Sequence, residues 1–159
     1  RDTDRSRGLG DVYKRQILGG ASEDDAQLLY DFGVRMGLAF QLQDDYLDVY
    51  GDPAVFGKKI GGDILCNKKT YMLITALEKA DAQTRRELLD WIAASNYVPS
   101  SKIEAVTAIY NKVGIGEICQ QKIDQYYEEA KALLEKVSVE DALKQNLMDF
   151  VLKLMNRKL

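Results

Sequence analysis

Three carboxylates stand close together in an otherwise apolar stretch, FQLQDDYLDVY, at positions 40–50. Residues four apart share a helix face, so Asp44 and Asp48 project to one side, with Gln41 one turn earlier. Burying such like charges is costly unless a cation compensates them. Mg²⁺ typically takes one or two carboxylates and completes its shell with waters and substrate phosphates. These residues predict a magnesium site for a phosphorylated, apolar substrate, with Asp45 as a further ligand.

Lysines follow the acidic segment at regular distances. Lys58 comes ten residues after Asp48 within the glycine-rich segment GDPAVFGKKIGGDILC, and Lys68 comes ten residues later. Lysine ammonium groups bind phosphate oxygens as point charges. Carboxylates, glycines and lysines in this order predict a magnesium-diphosphate site.

Neighbouring charged residues have less specific interpretations. Lys59 and Lys69 are typical of solvated surface charge. Asp63 is equally consistent with two roles. It could cap a helix, or its carboxylate could contact the metal- and phosphate-binding residues without touching the ligand itself.

Composition narrows the function classes. The chain has 159 residues, 46% of them hydrophobic, which is enough for one domain with a core. Its net charge of −3 argues against a nucleic-acid partner, and no apolar run is long enough for a transmembrane segment. There is no histidine, so imidazole catalysis is excluded. Cys66 and Cys119 have no CxxC spacing and are expected to be reduced thiols of a cytoplasmic protein.

Hydrophobic spacing predicts helices throughout, and therefore an all-α class. Ser22 with Asp25 predicts a helix start, and Gly51 its end. The predicted helices run from about Glu23 to Tyr50, Asn67 to Lys79, Ala82 to Ala94 after an Asp81 cap, Ser101 to the Gly114–Gly116 interruption, Glu117 to Lys136, and from a Ser138 cap to Asn156. Residues 51–66 are predicted to form a loop. Gly33 and Gly37 lie inside the first helix and predict close approach of another helix or a ligand.

The segment FQLQDDYLDVYGDPAVFGKKIGGDILCNKKTY closely resembles the second aspartate-rich region of the trans-isoprenyl diphosphate synthases, also called polyprenyl synthetases. The ordered series of motifs makes the resemblance specific, and it is strongest over residues 33–80. It implies an antiparallel helix bundle of the isoprenoid synthase type. The implied activity is Mg²⁺-dependent transfer of an allylic diphosphate onto isopentenyl diphosphate by a homodimer.

The resemblance also implies roles for the acidic segment and the first lysine. Asp44 would ligate Mg²⁺ directly, whereas Asp45 and Asp48 would hold metal-bound waters or a shared ion. Gln41 and Lys58 would contact the allylic diphosphate.

Other matching positions would complete the substrate site. Lys68 would support the anionic pocket, and Phe40 would pack near the prenyl chain or the isopentenyl site. Arg157 or Lys158 would approach isopentenyl diphosphate, as a basic C-terminal tail does in the family.

The chain also departs from the family pattern. The family has two DDxxD motifs, and only one is present here. Residues 1–16, RDTDRSRGLGDVYKRQ, are predicted to be a non-native or disordered leader. Residues 17–159 are then expected to be the truncated C-terminal part of a polyprenyl synthetase domain, inactive alone. A non-catalytic regulatory subunit and, less favoured, a terpene cyclase are the alternatives.

Overall fold

A computed structural model of the chain describes residues 22–57 and 59–156, which form eight helices and no strand. The all-α prediction is confirmed over these ranges. The predicted leader, Lys58, Arg157 and Lys158 lie outside the described residues. The helices are α1 (Glu23–Tyr50), α2 (Pro53–Phe56), α3 (Gly62–Leu65), α4 (Tyr71–Lys79), α5 (Ala82–Ala93), α6 (Pro99–Val113), α7 (Ile115–Glu135) and α8 (Asp141–Asn156).

The long helix α1 begins and ends where the sequence predicts. The Asp25 N–H donates to Ser22 Oγ at 3.3 Å, which confirms the predicted N-cap. The buried Asp25 carboxylate accepts instead from the Ser138 N–H at 3.0 Å, so the capping box is not reciprocal. At the other end, a Cβ on Gly51 would lie 2.5 Å from the Leu47 carbonyl oxygen. Only glycine fits this close approach.

The segment 51–66 is more ordered than the predicted loop. Asp52 caps α2 by accepting from the Ala54 N–H at 2.9 Å, and Pro53 occupies its first turn. Gly61 has a φ of 92° and forms the N-cap of α3. Two short helices therefore interrupt this segment.

Three later helix starts differ from the prediction. α4 begins at Tyr71, because Thr70 Oγ1 accepts from the Leu73 N–H at 3.1 Å and caps the helix there. α6 begins at Pro99, whose ring suits the first turn of a helix. α8 begins at Asp141, so the predicted Ser138 cap is wrong.

Other boundaries are closer to expectation. Asp81 Oδ1 accepts from the Thr84 N–H at 2.7 Å, which confirms the predicted cap of α5. Gly114, with a φ of 76°, ends α6 as predicted. Gly116 does not interrupt the chain, because it lies within the first turn of α7.

The chain divides into two compact units. The described part of the first comprises residues 22–39 and 124–156, with a core that includes Phe32, Met36, Ala39, Ala130, Leu134, Val137, Met148 and Val151. The described part of the second comprises 40–57 and 59–123. Within it α6 contacts α3, α4 and α5, and the core includes Leu47, Ile64, Met72, Leu88, Val106, Ile109 and Ile115. Across the described ranges, no helix combines the length and apolarity that a membrane crossing requires.

Candidate functional site

The acidic segment occupies the C-terminal part of α1, in the second unit. Asp44 is exposed and Asp48 is half-buried, whereas Asp45 is buried at 5% exposure. A helix turns about 100° per residue, so adjacent carboxylates point in different directions. Gln41 is exposed one turn before Asp44, and Phe40 is half-buried. The predicted face of Gln41, Asp44 and Asp48 is therefore present, with Asp45 turned inward from it.

Asp45 pairs with a lysine from a distant part of the second unit. The Lys68 Nζ donates to Asp45 Oδ1 at 2.9 Å and lies 3.8 Å from Asp63 Oδ2. The hydrogen bond to Asp45 is the main reason that the pKa of Lys68 is raised above its usual value. Half of the Lys68 side chain is exposed. Since an ammonium group has three N–H donors, Lys68 can hold Asp45 and still donate to a phosphate oxygen.

Two backbone N–H groups at the start of α3 donate hydrogen bonds to Asp48. The Asp63 N–H donates to Asp48 Oδ2 at 2.9 Å, and the Gly61 N–H donates to the Asp48 carbonyl oxygen at 2.7 Å. Asp63 lies in the first turn of α3, and Gly61 is its N-cap. Because Gly61 is the N-cap, the structure favours a role for Asp63 in supporting the residues of the candidate site over a role as helix cap. Its carboxylate lies beside Lys68 and its backbone anchors Asp48.

A tight turn between α3 and α4 delivers Lys68 to this position. Asn67 has a φ of 54°, the only positive φ at a non-glycine residue within the described ranges. The Lys68 N–H donates to the Asp63 carbonyl oxygen at 2.9 Å, and the Thr70 N–H donates to that of Lys68 at 2.8 Å. The turn replaces the first residues of the helix predicted from Asn67, because the capped α4 begins only after it.

The donor set fits magnesium with a diphosphate better than a cage made of protein ligands alone. Within residues 22–57 and 59–156, no three acidic or cysteine side chains gather closely enough to hold a metal ion. Asp44 and Asp48 offer carboxylate oxygens on one face, whereas Asp45 is bonded to Lys68. One or two carboxylates, completed by waters and phosphate oxygens, is the usual coordination of Mg²⁺.

The structure thus brings together Asp45, Asp48, Asp63 and Lys68 and leaves Asp44 on the adjoining exposed face. Sequence reasoning missed two residues behind this group. Asn67 shapes the turn, and the buried Lys102 contacts it. The Asn-Lys-x-Thr series was a signal for Asn67. No local pattern distinguished Lys102 from an ordinary surface lysine.

An all-α fold that presents an aspartate face beside a paired lysine offers groups able to bind a metal ion and phosphate oxygens. Comparison with known proteins gives the family. The Polyprenyl synthetase family model matches residues 12–113. The chain belongs to the polyprenyl synthetase family.

Similar proteins agree with this assignment. The short chain isoprenyl diphosphate synthase of Methanothermobacter thermautotrophicus is 34% identical over 139 residues, which are 86% of this chain and 42% of the relative. A crystal structure of geranylgeranyl pyrophosphate synthase is 39% identical with a TM-score of 0.79, over 88% of this chain and 44% of that one.

A third relative was solved with ligands. It is a geranylgeranyl pyrophosphate synthase from Corynebacterium glutamicum complexed with isoprenyl diphosphate and magnesium, 30% identical, with a TM-score of 0.74. The match covers 87% of this chain and 39% of that one. The chain spans less than half the length of each of these relatives, and its helices adopt the all-α isoprenoid synthase fold.

Proposed function

We propose that this chain carries one half of the active site of a prenyltransferase that condenses an allylic diphosphate with isopentenyl diphosphate. The observation that carries the proposal is the arrangement around Asp45. A half-exposed lysine is held by a buried carboxylate, next to the Asp44 and Asp48 face. An ammonium and two carboxylates are the groups that a magnesium-diphosphate ligand requires. Family membership supports the reaction class.

Each side chain would have a separate task. Asp44 and Asp48 would hold Mg²⁺, which when bound neutralises the charge developing on the departing diphosphate. Lys58 and Lys68 would bind phosphate oxygens and favour the same charge development. Asp45 would act on the metal site indirectly, by fixing the Lys68 ammonium beside it.

The remaining residues would bind substrate. The Gln41 amide would donate to the allylic diphosphate, and Phe40 would pack near the prenyl chain or the isopentenyl site. Arg157 would approach isopentenyl diphosphate. The allylic C–O bond breaks with its electron pair on the diphosphate, the allylic cation alkylates the isopentenyl double bond, and a proton leaves, taken up by the diphosphate.

A relative supports the proposed cofactor and the diphosphate ligand. The Corynebacterium glutamicum enzyme was solved with magnesium and isoprenyl diphosphate, which supports Mg²⁺ and a prenyl diphosphate ligand here. A cytoplasmic location and a homodimer of the full-length protein belong to the same proposal.

We also propose that residues 17–159 form the C-terminal part of a polyprenyl synthetase domain, with residues 1–16 as a leader. The partial coverage of every relative described above supports only that this chain corresponds to part of such a domain. The family model matches from residue 12 onward, so its match begins within the proposed leader. This polypeptide alone is then expected to lack turnover, since one DDxxD motif provides only half of the family's metal site. Incubation with radiolabelled isopentenyl diphosphate and geranyl diphosphate should yield no longer product. Robust product formation would contradict this part of the proposal.

Ligand binding tests the site itself. Pyrophosphate with Mg²⁺ should raise the melting temperature of this chain, because a ligand that binds only the folded state stabilises it. Asp44→Ala should abolish the shift. Asp90→Ala removes the same charge from an exposed position on α5 and should preserve it.

The pattern of results is decisive. If pyrophosphate gives no shift in the wild type at any Mg²⁺ concentration, the diphosphate site is wrong and a non-catalytic relative is favoured. If Asp44→Ala shows a melting-temperature shift as large as that of the wild type, the Asp44 carboxylate does not belong to the metal site.

A further inference from the structure

A fully buried lysine stands behind the candidate site. Lys102 lies on α6 and is 1% exposed. Its Nζ donates to Asn67 Oδ1 at 2.7 Å and lies 4.7 Å from the centroid of the Tyr97 ring. Burying an ammonium group is unfavourable unless it gains strong partners. An amide oxygen and an aromatic face are weaker partners than a carboxylate, so these contacts compensate the buried ammonium of Lys102 only in part.

Asn67 is held on two sides. Its Oδ1 accepts from Lys102 on α6, and its Nδ2 donates to the Ile92 carbonyl oxygen of α5 at 3.1 Å. The backbone of Asn67 has a φ of 54°, in the left-handed region that is unfavourable for residues other than glycine. Asparagine tolerates this region better than most residues. Its side chain thus fixes a strained backbone to two helices.

The residue that follows this anchor is Lys68. Its N–H donates to Asp63 and its carbonyl accepts from Thr70, so the turn defines where the side chain begins. From there the ammonium reaches Asp45 at 2.9 Å. Asp63, Asn67, Lys68 and Lys102 also line one small cavity. A continuous set of contacts therefore joins Lys102 to the Asp45–Lys68 pair.

We propose that Lys102 is a positioning residue: through Asn67 it holds the turn that directs the Lys68 ammonium toward Asp45 and the bound diphosphate. The mechanical part of this inference stands on the contacts alone. The effect on diphosphate rests on the proposed function. The alternative is that the buried Lys102 side chain only fills space between α6 and the residues packed against it.

Amide hydrogen exchange measures the turn directly in this chain. In Lys102→Met the side chain keeps its length but loses the donor. Exchange at the Lys68 and Thr70 amides should then quicken about tenfold or more, because the turn opens locally. Lys112→Met is the matched control, since it removes a lysine of the same helix whose Nζ donates to Thr84 Oγ1 at 3.0 Å. That variant should leave both amides unchanged.

Two outcomes of this experiment would overturn the inference. One is unchanged exchange at Lys68 and Thr70 in Lys102→Met. The other is acceleration of all amides to the same degree, since that reports a loss of global stability and a space-filling role.

Variants of Asn67 separate the anchor from the backbone and remain informative if Lys102→Met does not fold. Asn67→Gly keeps the left-handed backbone accessible but removes the side chain, and should open the turn as Lys102→Met does. Asn67→Asp keeps an oxygen that accepts from Lys102 but loses the Nδ2 donor to the Ile92 carbonyl, so its protection should lie between that of Asn67→Gly and that of the wild type. If Asn67→Gly is as protected as the wild type, backbone preference alone shapes the turn and the positioning role fails.

Calorimetric titration with Mg²⁺ and pyrophosphate, far below the melting temperature, tests the consequence for the site. Lys102→Met should weaken binding by about fivefold or more, and the control Lys112→Met should bind like the wild type. If the wild type does not bind, the proposed function fails while the exchange measurements still decide the positioning role. If the wild type and Lys102→Met bind equally, the inference that Lys102 serves the site is overturned.

Discussion

Asp44 and Asp45 are adjacent in sequence, but the helix assigns them different surroundings. The turn of about 100° per residue leaves Asp44 exposed and buries Asp45 at 5% exposure. A buried carboxylate needs a partner, and Lys68 supplies it. The same lysine keeps half of its side chain in solvent. One residue can therefore stabilise the fold and present positive charge to a ligand.

The Asp45–Lys68 pair gives a prediction about stability. Lys68→Met leaves the Asp45 carboxylate buried without its ammonium partner, and should lower the free energy of unfolding by about 1–3 kcal/mol. Lys69→Met changes the neighbouring exposed lysine and should stay within about 0.5 kcal/mol of the wild type. Urea unfolding followed by circular dichroism measures both. Equal stability of the two variants would show that the pair contributes little.

Cys119 gives a prediction about alkaline pH. Burial, and after it the nearby Asp45 charge, raises the pKa of this thiol from 9.0 to about 11. As the pH rises, the thiol therefore loses its proton first in the unfolded chain. The contribution of Cys119 to stability is fully present below pH 9 and is lost as the pH rises through about 11. We expect this thiol to contribute up to about 2 kcal/mol to that loss.

Paired variants isolate the cysteine contribution. Cys119→Ala should flatten the decline in unfolding free energy between pH 9 and 11, whatever its stability at neutral pH. Cys66→Ala, at an exposed position, should follow the wild-type profile. Parallel profiles for all three proteins would contradict the assignment.

At the scale of elements, the sequence was enough to predict the six longer helices, but not the short α2 and α3 or several of the helix starts. Asp81 and Ser22 signalled their helices because a side-chain cap is a local interaction. The start of α4 was misplaced because the local Thr70 cap was overlooked, and because α5 and α6 hold Asn67 in a turn before the helix, a tertiary contact that the sequence does not show. Ser138 resembled a cap, but its N–H is taken by Asp25, from the other end of the sequence.

The candidate site shows the same division. The spacing of Asp44 and Asp48 placed them on one face from the sequence alone. That Asp45 pairs with Lys68 depends on α3 being fastened to Asp48, a contact between residues distant in sequence. Such a pairing can be recognised only in the tertiary structure, because the geometry of the loop determines which of several lysines lies next to Asp45.

The junction before α3 yields a prediction about Gly61. Its φ is 92°, and an added Cβ would lie 2.6 Å from Ile103 Cδ1. Gly61→Ala should therefore cost more than Gly114→Ala, whose φ of 76° is strained but whose Cβ would meet nothing within 4 Å. We expect about 1–2 kcal/mol for Gly114→Ala from backbone strain, and more for Gly61→Ala.

Thermal and urea unfolding of both variants test this difference. Adding Ile103→Ala to Gly61→Ala should recover the steric part of the loss relative to Ile103→Ala alone. If the two glycine variants are equally stable, the close approach of α3 and α6 does not constrain this position.

At the scale of the whole molecule, the exposed apolar face of α1 indicates a contact surface. On α1, Tyr30 is 51% exposed and Val34 is 38% exposed. Gly33 and Gly37 lie on the same stretch, and within the described ranges nothing stands within 4 Å of a Cβ built on either. The sequence led us to expect close approach at these glycines, and the described residues do not supply it. Neighbouring apolar and small residues exposed together are typical of a contact surface.

This surface predicts self-association of the polypeptide. Sedimentation velocity should show a mean sedimentation coefficient that rises with protein concentration, because burying the α1 face of one molecule against another removes apolar area from water. Val34→Glu should suppress the rise. Val98→Glu places the same charge at the start of α6, where Val98 is 62% exposed, and should not suppress it. A species that stays monomeric and melts cooperatively at every concentration would show that exposure of this face is tolerated, and equal suppression by both variants would attribute the effect to net charge.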